Sequence, residues 1–190
     1  MQAKHDYNML KNSVELSKLY LKNYIKSGDI VADMTCGNGH DTLFLSEIVG
    51  ENGFIYAFDI QKSAIESTKV LLSGFENLKL INDGHQNLDE YITGEIDAFV
   101  FNLGYLPKGD HNIKTDPENT IAAIEKSMLK LKKTGIIVIS IYHGGDSGFH
   151  ERDELLKYFK RLNPKKYNVI LHDYINKPNN PPLLAVITHN

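Results

Sequence analysis

The stretch Val31–Thr42, VADMTCGNGHDT, reads as an apolar strand, a turn through two glycines with one residue between them, and a helix opening. Asp33 stands four residues before the first glycine, giving D-x-x-x-G-x-G. Gly37-Asn38-Gly39-His40-Asp41-Thr42 is GxGxxT, where a dinucleotide fingerprint asks for a third small residue. Asp59 follows Gly39 by 20 residues, the separation that sets a carboxylate on a ribose diol. A pyrophosphate beside Asp33 would be repelled by on the order of a few kcal/mol at an effective dielectric near 20. Two acids around a bare glycine turn suit S-adenosyl-L-methionine, which carries a sulfonium and an ammonium and no phosphate. Glycine is wanted because a Cβ would hold the backbone away from the ligand. The competing readings are an incidental capped turn and a phosphate-bearing nucleotide.

Outward from that turn the pattern alternates. DIVADM is a strand and DTLFLSEIV a helix; FIYAFDI is a strand, and KSAIESTKVLLS a helix with Ala64, Ile65, Thr68 and Leu72 inward. LKLIND is followed by a short polar piece through Leu88 and Tyr91. IDAFVFNLG is followed by PENTIAAIEKSMLKL, with Asp116 as N-cap and proline in the first turn. GIIVISIYH precedes HERDELLKYFKRL, and KYNVILHDYI and LLAVITHN close the chain. Met9 to Lys26 reads as a leading helix with Leu10, Val14, Leu21 and Ile25 on one side. The expectation is an α/β fold with a seven-stranded, mostly parallel sheet, its last two strands antiparallel, and helices on both faces. Residues 1–190 make one domain on this reading, with the helical segment 1–28 part of it.

Composition narrows the class. The chain has 190 residues, 42% hydrophobic and 24% charged, an ordinary globular balance. No apolar run reaches the roughly 18 residues of a membrane helix, and the N-terminus lacks a signal-peptide core, so a cytoplasmic protein is expected. One cysteine, Cys36, excludes an internal disulfide, and the scattered histidines show no metal-ligand spacing. Cys36 reads as packing rather than as a nucleophile. The net charge of −3, from 21 basic and 24 acidic residues, does not itself point to nucleic acid. Lys11, Lys18 and Lys22 share a helix side, read either as a solvated face or as an RNA contact.

Ligands of such sheets sit beyond the carboxyl ends of the strands. After the third strand come Asn82-Asp83-Gly84-His85, where Asp83, and less readily His85, can meet an adenine edge. After the fourth come Asn102-Leu103-Gly104-Tyr105-Leu106-Pro107. Enzymes that methylate an amino nitrogen often carry Asn-Pro-Pro-aromatic at this place; Asn102 and Tyr105 match its ends, with Leu-Gly between. Tyr105 reads as an acceptor-stacking ring or as a core or lid residue. After the fifth strand, Tyr142-His143-Gly144-Gly145 opens a glycine-rich loop that suits an acceptor clamp. His143 reads as a general base, a nucleic-acid contact or a strand-end hydrogen bonder.

With VADMTCGNGHDTLFLS, YAFDI, FNLGYLP, IYHGGDSG and NKPNNPPLLAVI in view, the chain resembles the small class I methyltransferases long labelled rRNA methylases, the YtqB-like or MnmM family. The likeness runs from about Asp29 to the C-terminus. It implies a Rossmann-like, S-adenosylmethionine-dependent enzyme that methylates the amine of 5-aminomethyl-2-thiouridine at the tRNA wobble position, with the anticodon stem-loop as partner. By that likeness Asp33, Gly37, Asn38, Gly39, His40, Asp41, Thr42 and Asp59 form the cofactor pocket, joined by Thr35, Gln61, Asp83, His85 and Asn102. Asn102, Tyr105 and His143 are the implied catalytic set. Leu103, Gly104, Tyr105, Pro107, Tyr142 and Gly144 face the acceptor. The family's last loop often reads YHGH, and Gly145 stands here in place of the second histidine. A homodimer is the common arrangement of small enzymes of this kind. The rival readings are a small-molecule N- or O-methyltransferase, a nicotinamide-dependent oxidoreductase and a silent RNA-binding module.

Overall fold

Apolar runs without polar alternation, such as Ile136–Ile139, can be satisfied only by a sheet covered on both faces. A computed structural model of the protein describes residues 10–104, 115–143 and 148–190. Its strands are β1 (Ile30–Asp33), β2 (Phe54–Phe58), β3 (Leu78–Ile81), β4 (Ile96–Leu103), β5 (Leu131–Ile141), β6 (Tyr167–His172) and β7 (Leu183–His189). They form one sheet in the order β3-β2-β1-β4-β5-β7-β6. β1 to β5 pair in parallel, and β7 runs antiparallel to both β5 and β6.

Among the described residues five helices flank the sheet: α1 (Ser13–Tyr24), α2 (His40–Val49), α3 (Lys62–Leu71), α4 (Pro117–Lys130) and α5 (Gly148–Arg161). A 3-10 turn, His85–Glu90, takes the place of a helix after β3. Successive strand residues face opposite ways, so Val31, Ile55, Ala98 and Val100 meet Leu16 and Leu21 of α1 and Leu45 and Val49 of α2. Ala32, Phe58, Phe99 and Phe101 meet Leu88 of the 3-10 turn, Ile124 and Met128 of α4 and Leu155 of α5. Ile65 of α3 packs on Ala57, on the same sheet face as Ile55.

The leading helix departs from the sequence expectation. It starts at Ser13, because the Asn12 side chain accepts from Glu15 N–H at 2.8 Å and caps it there. Leu10 therefore precedes the helix and is 67% exposed, whereas Leu16 and Ser17 join Leu21 in the buried face. The inward set predicted for α3 is buried as expected, and Asp116 caps α4 by accepting from Asn119 N–H. None of the helices among the described residues is long and apolar enough to cross a membrane.

Candidate active site

Strand order reverses between β1 and β4, the point where parallel sheets leave a crevice. A cavity of about 770 Å³ opens there. Residues following β1, β2 and β3 line one half: Thr35, Gly37, Asn38, His40, Asp41, Asp59, Gln61, Asp83 and His85. The end of β4 and the residues following β4 and β5 line the other: Asn102, Leu103, Gly104, Tyr142 and His143. Tyr105, Pro107 and Gly144, also expected there, lie outside the described residues.

The glycine turn is held from behind. Gly39 sits at φ +83° as the residue before α2, and a Cβ on it would come within 3.0 Å of the Thr68 Cα of α3. Thr68 Oγ1 lies 3.0 Å from the Gly37 carbonyl and 3.6 Å from Cys36 Sγ. Cys36 is buried, and burial pushes its thiol above the ordinary range, in keeping with a packing role. Asp59 accepts from Gly37 N–H at 3.0 Å and Gln61 N–H at 2.8 Å. It thereby ties the first turn to the end of β2. Burial raises its pKa against these two bonds.

Asp33, Gly39 and Thr42 do not line the cavity, contrary to expectation. Asp33 is fully buried and acts as an internal brace, accepting from Thr42 Oγ1 at 2.7 Å and Thr35 N–H at 3.2 Å. Burial, reinforced by the nearby Asp41 charge, pushes it up to about 7. The acids that do line the cavity are Asp41, Asp59, Asp83 and Asp116.

Asp83 lines the cavity but already accepts from Gly84 N–H, Asn87 Nδ2 and the Tyr91 hydroxyl. The Asn87 bond leads the causes that lower its pKa. A carboxylate offers about four lone-pair sites, so one remains for an adenine amine. His85 is buried, hydrogen-bonded to the Met34 backbone and with its ring centroid 5.9 Å from that of Phe101. Burial drives it down to about 4, and its Nε2 has no hydrogen-bond partner among the described residues.

The half at the ends of β4 and β5 is tied by side chains. Asn102 N–H donates to Thr35 Oγ1 at 2.7 Å, and Asn102 Nδ2 donates to Asp41 Oδ2 at 2.6 Å. A carboxylate accepts and does not donate, so this bond assigns the amide: nitrogen toward Asp41, with Oδ1 left for a ligand's N–H. His143 is buried, its Nδ1 3.2 Å from the Ile141 carbonyl. That carbonyl needs a proton on Nδ1, which leaves Nε2 as the accepting nitrogen. The strand-end hydrogen bond foreseen for His143 is thus present, and its free nitrogen belongs to a residue lining the cavity.

Sequence reasoning missed a clasp at the neck of the segment following β4. Gly104 N–H donates to Thr115 Oγ1 at 2.9 Å, and Thr115 N–H donates to the Gly104 carbonyl at 3.0 Å. Thr115 Oγ1 in turn donates to Glu151 at 2.6 Å, as does Thr120 Oγ1 at 2.9 Å. Glu151 is buried in the first turn of α5. Val14 of α1, Thr115, Asp116 and Asn119 around the start of α4, and Asn180 and Pro182 before β7 also line the cavity. The usable signal was topological: a helix that follows β4 must begin at the sheet's carboxyl edge, which puts its cap at the mouth.

Sheet order, the antiparallel last strand and a glycine turn at the switch point define a class I, S-adenosylmethionine-dependent methyltransferase. Residues 55–188 match the family model described as "Putative rRNA methylase", and the chain belongs to that family. It is 33% identical over 187 residues to the chloroplastic tRNA (mnm(5)s(2)U34)-methyltransferase of Arabidopsis thaliana, covering 92% of this chain and 68% of that protein. A solved structure from Clostridium thermocellum, described in the same words as the family, is 48% identical with a TM-score of 0.92, covering 94% of this chain and 98% of that one. A "putative methyltransferase" from Streptococcus mutans, solved in complex with SAH, is 36% identical with a TM-score of 0.87 and the same coverage.

Proposed function

We propose that this enzyme methylates the amino nitrogen of 5-aminomethyl-2-thiouridine at the wobble position of tRNA, giving the 5-methylaminomethyl form. The observation that carries this is the Asn102 amide, fixed by Asp41 so that its oxygen is offered to an N–H. An acceptor that donates an N–H is favoured over a carbonyl or an ether. The likeness to the Arabidopsis enzyme, whose name specifies uridine 34 of tRNA, supports the choice of acceptor.

S-adenosylmethionine is the cofactor, and bound it supplies a methyl group on a cationic sulfur. The residues present fit it: a tight glycine turn, four acids lining the cavity and, among the described residues, no lysine or arginine in the lining for a phosphate. Asp59, at the end of β2, stands where a carboxylate meets ribose hydroxyls. Asp41 and Asp59 give the cavity negative character, which favours a cation.

In-line transfer asks the protein to hold donor carbon and acceptor nitrogen about 3–3.5 Å apart and aligned, and to exclude water. Asn102 orients the amine through its remaining N–H bonds. An aliphatic amine arrives mostly protonated, so one proton must leave before its lone pair can attack. His143 Nε2 or the Asp41 carboxylate, both from cavity-lining residues, can take it directly or through one water. A wobble base is unpaired already, so splaying it into the cavity costs little.

The test is incubation of the purified enzyme with S-adenosylmethionine and tRNA bearing 5-aminomethyl-2-thiouridine, followed by nucleoside mass spectrometry. A gain of one methyl on that nucleoside is expected. An unchanged nucleoside, with methyl appearing in rRNA or a metabolite extract instead, overturns the acceptor.

A further inference from the structure

Beside Lys11, Lys18 and Lys22, the sequence carries a second basic cluster, Lys157, Lys160, Arg161, Lys165 and Lys166, and placement separates the two. Val14, Lys18 and Lys22 are four residues apart, so they lie along one ridge of α1. Val14 lines the cavity, so the ridge leads away from its rim. The Lys18 and Lys22 ammonium groups stand 5.6 and 5.7 Å from the centre of the same ring, Phe44 on α2. Lys18 has Glu15 at 3.8 Å, a loose and exposed pair. Lys11 lies just before the helix, and its carbonyl accepts from the Lys177 ammonium. Lys177 belongs to the turn between β6 and β7, whose Asn180 and Pro182 form another part of the rim. Two pieces of chain that border the mouth are therefore joined, and both carry exposed lysines.

Lys160, Arg161, Lys165 and Lys166 sit elsewhere. α5 begins against His143 at the cavity, where a Cβ on Gly148 would meet the His143 backbone, and runs 14 residues away from it. At 1.5 Å per residue its end is about 20 Å from the mouth, at the amino edge of the sheet.

We propose that Lys11, Lys18, Lys22 and Lys177 form the track that holds the sugar-phosphate backbone flanking the acceptor nucleotide. The chain carries a net charge of −3, so this is a local feature and not a consequence of overall basicity. The proposal rests on the tRNA reading above and adds the surface by which the RNA is held. Phosphate contacts position a nucleic acid without reading its sequence, and each one releases counterions.

Two variants test it: Lys11→Ala/Lys18→Ala/Lys22→Ala, and Lys160→Ala/Lys165→Ala/Lys166→Ala. Fluorescence anisotropy with the substrate tRNA across a salt series gives the affinity and its salt slope, and calorimetry with S-adenosylmethionine checks that each variant is folded. The α1 variant is expected to bind at least tenfold more weakly at low salt, with a log–log salt slope shallower by about 2, from roughly 0.7 for each lost contact to a single strand. The α5 variant is expected to bind within twofold of the wild type. Equal losses in both variants, or an unchanged slope in the first, overturn the track. If the wild type binds but does not methylate the tRNA while the α1 variant loses binding, the acceptor reading fails and the track stands. A wild type that methylates this tRNA, with an α1 variant that binds it equally well, overturns the track alone.

Discussion

The donor half of the cavity is tied together over short stretches of chain and the acceptor half over long ones. Asp33 bonds residues two and nine positions away, and Asp59 bonds residues two and 22 away. Asn102 reaches partners 67 and 61 positions back, and Glu151 reaches 36 and 31. The donor half is built on a glycine turn whose backbone is held by Asp59 and Thr68, whereas the acceptor half presents an Asn102 side chain whose direction is set by another side chain. A backbone site tolerates little variation in shape, and a side-chain site can be retuned one partner at a time. One chain thus pairs a fixed donor pocket with an adjustable acceptor pocket.

The comparison breaks first at Asp59. Asp59→Ala removes the acceptor for both Gly37 N–H and Gln61 N–H as well as the carboxylate offered to the ribose. Calorimetric binding of S-adenosylmethionine should be lost. Retained affinity would mean that the turn keeps its shape unaided and that the ribose contact lies elsewhere.

On the acceptor side the expected loss falls on turnover. Asn102→Ala should lower kcat at least tenfold with cofactor affinity little changed; intact turnover would remove Asn102 from the acceptor site. Asp41→Ala should act through the same amide, which is then free to rotate, and lower kcat several-fold. Asp41→Asn keeps an oxygen that accepts from Asn102 Nδ2 and should recover most of that loss where His143 takes the amine's proton; no recovery would make the Asp41 carboxylate the proton acceptor. If both Asp41 variants instead weaken the cofactor alike, the carboxylate serves the donor half and the boundary between the halves moves.

A smaller effect is expected at the clasp. Thr115→Val leaves Gly104 N–H without its acceptor and deprives Glu151 of one donor, worth on the order of 1 kcal/mol in stability. If the clasp only supports the fold, kcat and KM for tRNA stay put while the melting temperature drops. If it aims the chain beyond β4, KM for tRNA rises several-fold, S-adenosylmethionine affinity holds, and Thr115→Ser restores the wild-type value. The second pattern is expected.

The same contrast in sequence separation explains what the sequence could disclose. Strand-helix alternation is a local pattern, and so is the glycine turn, so the sheet, the flanking helices and the position of the cavity were legible before any coordinates. Asp41 was legible as a pocket residue, but its bond to Asn102 joins α2 to the end of β4 and has no local signature. Leu10 fits the apolar spacing of α1, yet the Asn12 cap overrides that spacing. Asp33 was assigned to the ligand because its type and place suit a cation. Its burial depends on Thr42 folding back from the first turn of α2, a fact of three dimensions that spacing alone does not reveal.

That burial gives the last and smallest test, one of pH. Asp33 is raised from the ordinary carboxylate value to about 7 by burial and by the Asp41 and Asp59 charges, so the folded state holds its proton longer than the unfolded state does. Its contribution to stability is fully present below about pH 4 and is lost as pH climbs toward 7, since the unfolded chain then binds fewer protons. Asn can accept from Thr42 or from Thr35 but does not ionise. Asp33→Asn should therefore melt below the wild type at pH 4, with the gap closing by pH 8. Parallel melting curves across that range would mean that Asp33 is ionised in the native state throughout, and that the acid beneath the glycine turn carries charge into the donor half after all.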